Sequence, residues 1–238
     1  MVLSADTGYI SEESGLHSGV GKIIRLTVED RPIAYVAMAG DEDAIVRLSG
    51  ELSRVIAEIE KPLKEHGPSK FPEIVANYIN RIIKNIENNT TDILEIVMIY
   101  GFKFKSTIYR DAIKVECYKR YKGKKWRCEL AGASGSGGPR RMCIFAGSVR
   151  QQLSELYTVL GGESFLSSLE YSVKFIGFLQ FLVASFGMST HHFEVAYITD
   201  EGKTGTYLAN NPVIRNMVDH YQQLYNLIRE EILKTPLS

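Results

Sequence analysis

Between Lys103 and Arg127 the chain concentrates charge of one sign. Lys103, Lys105, Arg110, Lys114, Lys119, Arg120, Lys122, Lys124, Lys125 and Arg127 stand against only Asp111 and Glu116, with Tyr109, Tyr118, Tyr121 and Trp126 among them. Cations interleaved with aromatic rings can neutralise phosphates and stack bases, the chemistry of single-stranded nucleic acid binding. The same residues suit an exposed edge hairpin, where lysines oppose further strand pairing. The solvated hairpin or subunit contact is the preferred reading of 103–127, and nucleic acid binding the alternative. The whole chain is balanced, with 28 Lys and Arg against 28 Asp and Glu, so its surface as a whole does not track an anionic polymer.

Other reactive side chains are sparse. Cys117, Cys128 and Cys143 lack C-x-x-C or C-x-x-H spacing, which argues against zinc and for three reduced thiols. Cys117 and Cys128 could face each other across a hairpin, which alone implies no bond. His191 and His192 are adjacent, and adjacent strand residues point to opposite faces, so they share no metal. The glycine loop Gly132-Ala-Ser-Gly-Ser-Gly-Gly-Pro139 lacks phosphate-loop spacing. Gly202-Lys-Thr204 fails the same test, because Tyr197 occupies the upstream glycine position. No metal and no cofactor is expected. Asp6 and Lys22, taken singly, read as a turn former and a solvated lysine.

The elements that must position these groups follow from periodicity. Strands are expected over 1–5, 22–28 and 33–39, with an irregular Gly- and Ser-rich stretch between the first two. Asp41 then caps a helix carrying Ile45, Leu48, Leu52, Val55, Ile56 and Ile59 at three- and four-residue steps. Pro72 opens a second helix with Ile74, Val75, Tyr78, Ile79, Ile82, Ile83 and Ile86 on one side. Strands follow over 93–100, 112–121 and 126–131, and the first is apolar enough to be buried on both faces. Helices over 144–160 and 164–186, a hairpin of 193–199 with 204–208, and a helix opening at Asn211-Pro212 complete the order.

Helices thus arrive in pairs between antiparallel hairpins. A doubly wound parallel sheet would alternate single strands with single helices. The order fits an α+β chain with two stacked, mainly antiparallel sheets and a helical layer outside each. At 238 residues, 45% hydrophobic, without repeats or a long linker, residues 1–238 are expected to form a single domain. Met1 leads into Val-Leu-Ser-Ala-Asp with no basic region or long apolar core, which predicts a cytoplasmic protein. The most apolar stretch, 175–188, falls short of the ~20 residues that cross a bilayer, so no membrane is expected.

The run Val2-Leu-Ser-Ala-Asp6, the start Gly21-Lys22-Ile-Ile24 and the run Ala37-Met-Ala-Gly40 before an acidic helix start resemble a β-type proteasome subunit. So do Gly132-Ala-Ser-Gly-Ser-Gly137 and Tyr197-Ile-Thr-Asp-Glu-Gly202. The resemblance covers essentially the whole chain in element order, and the Asp6-to-Lys22 spacing is its most specific part. It implies a four-layer αββα sandwich of the N-terminal-nucleophile (Ntn) hydrolase class. In that family a threonine heading the mature chain attacks, and its own α-amine takes the hydroxyl proton. The resemblance matches Asp6 to the aspartate that orients a lysine, and Lys22 to that lysine. It matches Gly40 to the oxyanion glycine and Ser136 to the serine of the glycine loop.

The chain departs from the family in starting at Met1, without the first strand and its threonine. The family's second aspartate would fall at Gly187 or Met188, and neither is a carboxylate. The resemblance therefore implies a noncatalytic homologue when the chain begins at Met1, assembled with copies of itself or with proteasome-type subunits. The alternative is an active amide hydrolase or transferase whose start lies upstream, with polypeptide as substrate.

Overall fold

The computed structural model describes residues 1–6, 8–11, 15–18, 22–28, 31–40, 45–52, 59, 62, 65–67, 70–83, 93–104, 107–119, 126–133, 150–186 and 192–234. Its strands are β1 (Val2–Asp6), β2 (Gly8–Ser11), β3 (Gly15–Ser18), β4 (Ile23–Val28), β5 (Arg31–Gly40), β6 (Ile93–Phe104), β7 (Thr107–Lys119), β8 (Trp126–Ala133), β9 (Phe193–Ile198) and β10 (Thr204–Tyr207). Residues 45–52 are helical. They are followed by α1 (Phe71–Ile83), α2 (Arg150–Val159), a 3-10 segment (Gly162–Ser167), α3 (Leu169–Ser185) and α4 (Pro212–Lys234).

Strands β4 to β8 form an antiparallel meander, β1 and β10 flank β9 in a smaller sheet, and β2 pairs with β3 as a separate hairpin. Strand β6 shows why the layers stack. Its apolar run, interrupted by Glu95, sends Leu94, Ile96, Met98 and Tyr100 to one face and Val97 and Ile99 to the other. The first set packs under Leu48 and Leu52 of the 45–52 helix and Phe71, Val75, Ile79 and Ile83 of α1. The second meets the smaller sheet through Leu3, Ala196 and Ile198. That sheet's outer face, Phe193 and Val195, is covered by Val173 of α3 and Ile214 of α4. The result is the expected four-layer αββα sandwich. Each fully enclosed ring, such as Phe71 or Phe193, contributes about 1.5–3 kcal/mol of transfer free energy.

Local chemistry fixes the helix ends. The Ser168 hydroxyl accepts the Tyr171 N–H at 3.1 Å and caps α3. Asn211 Oδ1 accepts the Val213 N–H at 2.9 Å, so α4 opens at the cap-and-proline pair seen in the sequence. Mid-helix in α3, Gly177 lets Met217 of α4 and the Phe193 ring close in where a Cβ would stand.

Several elements differ from their sequence expectations. The Gly- and Ser-rich stretch after β1 contains the β2–β3 hairpin, with Gly8 opposite Ser18 and Ser11 opposite Gly15. Strands β6 and β7 continue as a ribbon to the Phe104–Thr107 pair. The expected 164–186 helix divides at Ser168, which is extended at φ −143° because its side chain caps the first turn of α3. The first part of the expected 144–160 helix lies outside the described residues. Register places Cys117 opposite Cys128, and the two form a disulfide instead of free thiols. Among the described residues no helix is long and apolar enough to cross a membrane.

Candidate functional site

Strand register gathers the polar residues at one end of the sandwich. Ile23 pairs with Ala37, and Gly40 pairs with Leu94, so the start of β4, the end of β5 and the start of β6 coincide. In the smaller sheet Asp6 pairs with Phe193, joining the end of β1 to the start of β9. Lys22, one residue before β4, reaches across to the smaller sheet. Its Nζ donates to Asp6 Oδ1 at 2.9 Å. The two side chains keep 27% and 26% of their surface exposed, so the pair is water-accessible and its Coulomb gain is modest. Gly40 has φ 131°, a conformation that side chains disfavour, and it closes β5 at the same end.

Ser136, the fourth position matched by motif, lies outside the described residues, as do Gly187, Met188 and His191. Among the described residues no group of three or more His, Cys, Asp or Glu could hold a metal ion.

Two further carboxylates stand at this end, and neither was singled out from sequence. Glu194 of β9 is buried and accepts a hydrogen bond from the Ile23 backbone N–H, next to Lys22. Burial pushes its pKa above the ordinary glutamate value, against the lowering effect of that bond. Glu95 of β6 is also buried. Its Oε1 accepts from Lys114 Nζ at 2.8 Å and from Arg150 at 2.6 Å. Lys114 reaches Glu116 as well, at 2.7 Å. Burial alone would lower the Lys114 pKa, but hydrogen bonds to Glu116 and Glu95, and their charges, hold it above the usual lysine value. The signal for both glutamates was a lone acid in an apolar strand, Ile93-Leu-Glu-Ile-Val and Phe193-Glu-Val-Ala.

The opposite end is different. The Met1 α-amine donates to the Ile198 carbonyl at 2.7 Å. Burial lowers its pKa, the Arg110 charge adds to that effect, and Asp200 opposes it. Arg110 is itself ion-paired with Asp200. Two cations of the basic 103–127 stretch, Arg110 and Lys114, thus have acidic partners within the fold. The side chains of Lys103, Lys105, Lys119, Arg120, Lys122, Lys124, Lys125 and Arg127 lie outside the described residues.

No family model matches the chain, and no curated protein matches it. Solved structures do. An Anbu (ancestral beta-subunit) from Yersinia bercovieri superposes with a TM-score of 0.57 at 12% identity, covering 100% of this chain and 94% of that one. Anbu from Hyphomicrobium sp. strain MC1 gives 0.51 at 11% identity, over 100% and 94% of the two chains. A Gly-1 mutant of that Anbu gives 0.51 at 10%, over 98% and 94%.

These neighbours correct the identification as a β-type proteasome subunit lacking its first strand. Anbu is proteasome-like but a distinct family. The motifs behind that identification are short and follow from strand ends and turns, so they mark the sandwich and not a branch within it. At this identity the comparisons establish the fold alone: a proteasome-like, Ntn-type αββα sandwich.

Proposed function

We propose that this chain, when it begins at Met1, is a non-cleaving, proteasome-like subunit that retains the electrostatic half of an amide-hydrolase site and works within a larger protein assembly. The observation that carries the reading is the 2.9 Å contact of Lys22 Nζ with Asp6 Oδ1, bridging two sheets at the end where Gly40 closes β5. In this reading Asp6 fixes the ammonium, Lys22 lowers the proton affinity of a neighbouring group, and the Gly40 N–H faces a carbonyl oxygen. Ser136 enters by motif alone.

Cleavage by an Ntn mechanism also needs a hydroxyl and a free α-amine on one residue beside Lys22. In the chain that begins at Met1, the only α-amine donates to the Ile198 carbonyl. It lies about 16 Å from Asp6 along the strand, at ~3.3 Å per residue. Assembly as a subunit draws on the description of one neighbour as an ancestral beta-subunit.

Incubation of the full chain with fluorogenic peptide amides and with an electrophile directed at N-terminal hydroxyls tests the reading. No turnover and no adduct are expected. Turnover that Lys22→Ala abolishes would overturn it. That outcome would favour the second reading, an active amide hydrolase whose nucleophile precedes Met1, which the intact Asp6–Lys22 geometry also supports. Mass spectrometry of the N-terminus of protein from its native source would then identify the residue.

A further inference from the structure

The apolar stripe of α4 is longer than the surface that receives it. Ile214, Met217, Tyr221, Leu224, Ile228 and Ile232 recur at three- and four-residue steps along the helix. The first half is seated. Ile214 is buried, and the Tyr221 hydroxyl donates to the Lys174 carbonyl at 2.7 Å while its ring meets Phe178 edge-on. The ring of Tyr225 still lies 6.4 Å from that of Phe181. Residues 222–234 are all exposed. Leu227, Ile228, Ile232 and Leu233 show 59%, 60%, 68% and 75% of their surface. A shallow groove along this half is lined by α4 alone: Tyr225, Ile228, Arg229, Ile232 and Leu233.

A helical stretch this short is marginal in water without a packing partner, and a contiguous exposed apolar face marks a contact surface. We propose that the outer half of α4 packs antiparallel against the same segment of a second copy of this chain. Its charge selects that occupant. Arg229 and Lys234 balance Glu230 and Glu231, so two copies do not repel. The face also lacks the cation excess of a helix that lies on an anionic membrane.

A two-fold crossing centred between Ile228 and Arg229 sets Leu224 against the partner's Leu233 and Tyr225 against the partner's Ile232. It brings Arg229 within a helical turn of the partner's Glu231, and two-fold symmetry makes every contact twice. In the single chain Glu231 bonds Lys234 at 3.1 Å, an exposed i,i+3 pair that is easily exchanged. The stretch is about 20 Å long, a small contact that belongs with the weak, transient class of interfaces.

The inference rests on the assembly part of the proposed function and leaves its charged end untouched. Sedimentation velocity on the full chain at ~50 µM tests it. The wild type is expected to associate, and Ile228→Glu and Ile232→Glu to weaken association at least about tenfold with unchanged circular dichroism. Arg229→Glu alone and Glu231→Arg alone should each associate poorly, and mixing the two should restore association. Association that survives all four substitutions would overturn the α4 contact while sparing assembly. A monomeric wild type would overturn both. Recruitment of a monomeric wild type to vesicles of anionic phospholipid would assign the face to a membrane instead.

Discussion

Two ion clusters stand at the same end of the sandwich and differ in their access to water. Lys22 and Asp6 keep about a quarter of their side-chain surface exposed. Lys114 and Glu95 keep 11% and 5%. The exposed pair bridges the two sheets at their rim, where a bound molecule can feel the ammonium. The enclosed cluster fastens β6, β7 and, through Arg150, the start of α2. A charge must remain reachable to act on a ligand, whereas a sealed charge is costly chiefly when it loses its partner. Sequence alone points only to the exposed pair, because only the Asp6–Lys22 spacing resembles a known pattern.

The contrast breaks most visibly in stability. Glu95→Ala leaves Lys114 enclosed with one of its two carboxylates gone, and removing one partner of a buried pair costs about 3–5 kcal/mol. Urea unfolding followed by circular dichroism measures it, and a loss under ~1 kcal/mol would mean that water reaches the cluster. Lys114→Met should cost less, about 1–3 kcal/mol, because Arg150 still serves Glu95. Lys22→Ala should cost only about 0.2–1 kcal/mol, and added salt should shrink that difference toward zero. The Glu95→Ala loss should barely respond to salt.

The finest test concerns Glu194, whose carboxyl is raised by burial. A carboxyl raised in the fold contributes stability that is fully present below the unfolded value and lost as pH rises through the folded one. Glu194→Gln, which can still accept from Ile23, should therefore raise the melting temperature slightly at neutral pH. The gain should fade as pH falls toward the ordinary glutamate range. A gain that is constant with pH would show that burial does not perturb this carboxyl.

Parts of this arrangement were legible in the chain. The layer order followed from paired helices between antiparallel runs, and the α4 start followed from Asn211-Pro212. The Asp6–Lys22 pair was anticipated only through the resemblance, whose aspartate-to-lysine spacing it matches, because β1 and β4 lie in different sheets. The partners of Glu95 were not legible. Lys114 is 19 residues away and Arg150 is 55, and only strand register and the docking of α2 bring them together. Glu194 was hidden for the same reason, since its donor is a backbone N–H in the other sheet. The hairpin that sets Cys117 opposite Cys128 was legible, but the bond between them was not, since facing thiols alone do not imply a disulfide. The β2–β3 hairpin was missed because glycine and serine mask the two-residue alternation.

Gly177 acts as a gauge for the outermost layer. With no Cβ between α3 and Met217, it sets how deeply the seated half of α4 lies and so the angle at which the other half leaves the body. A bulky residue there would tilt the rod and carry its far end off the two-fold axis proposed above. Subunit geometry would then be controlled from a point that touches no neighbouring molecule.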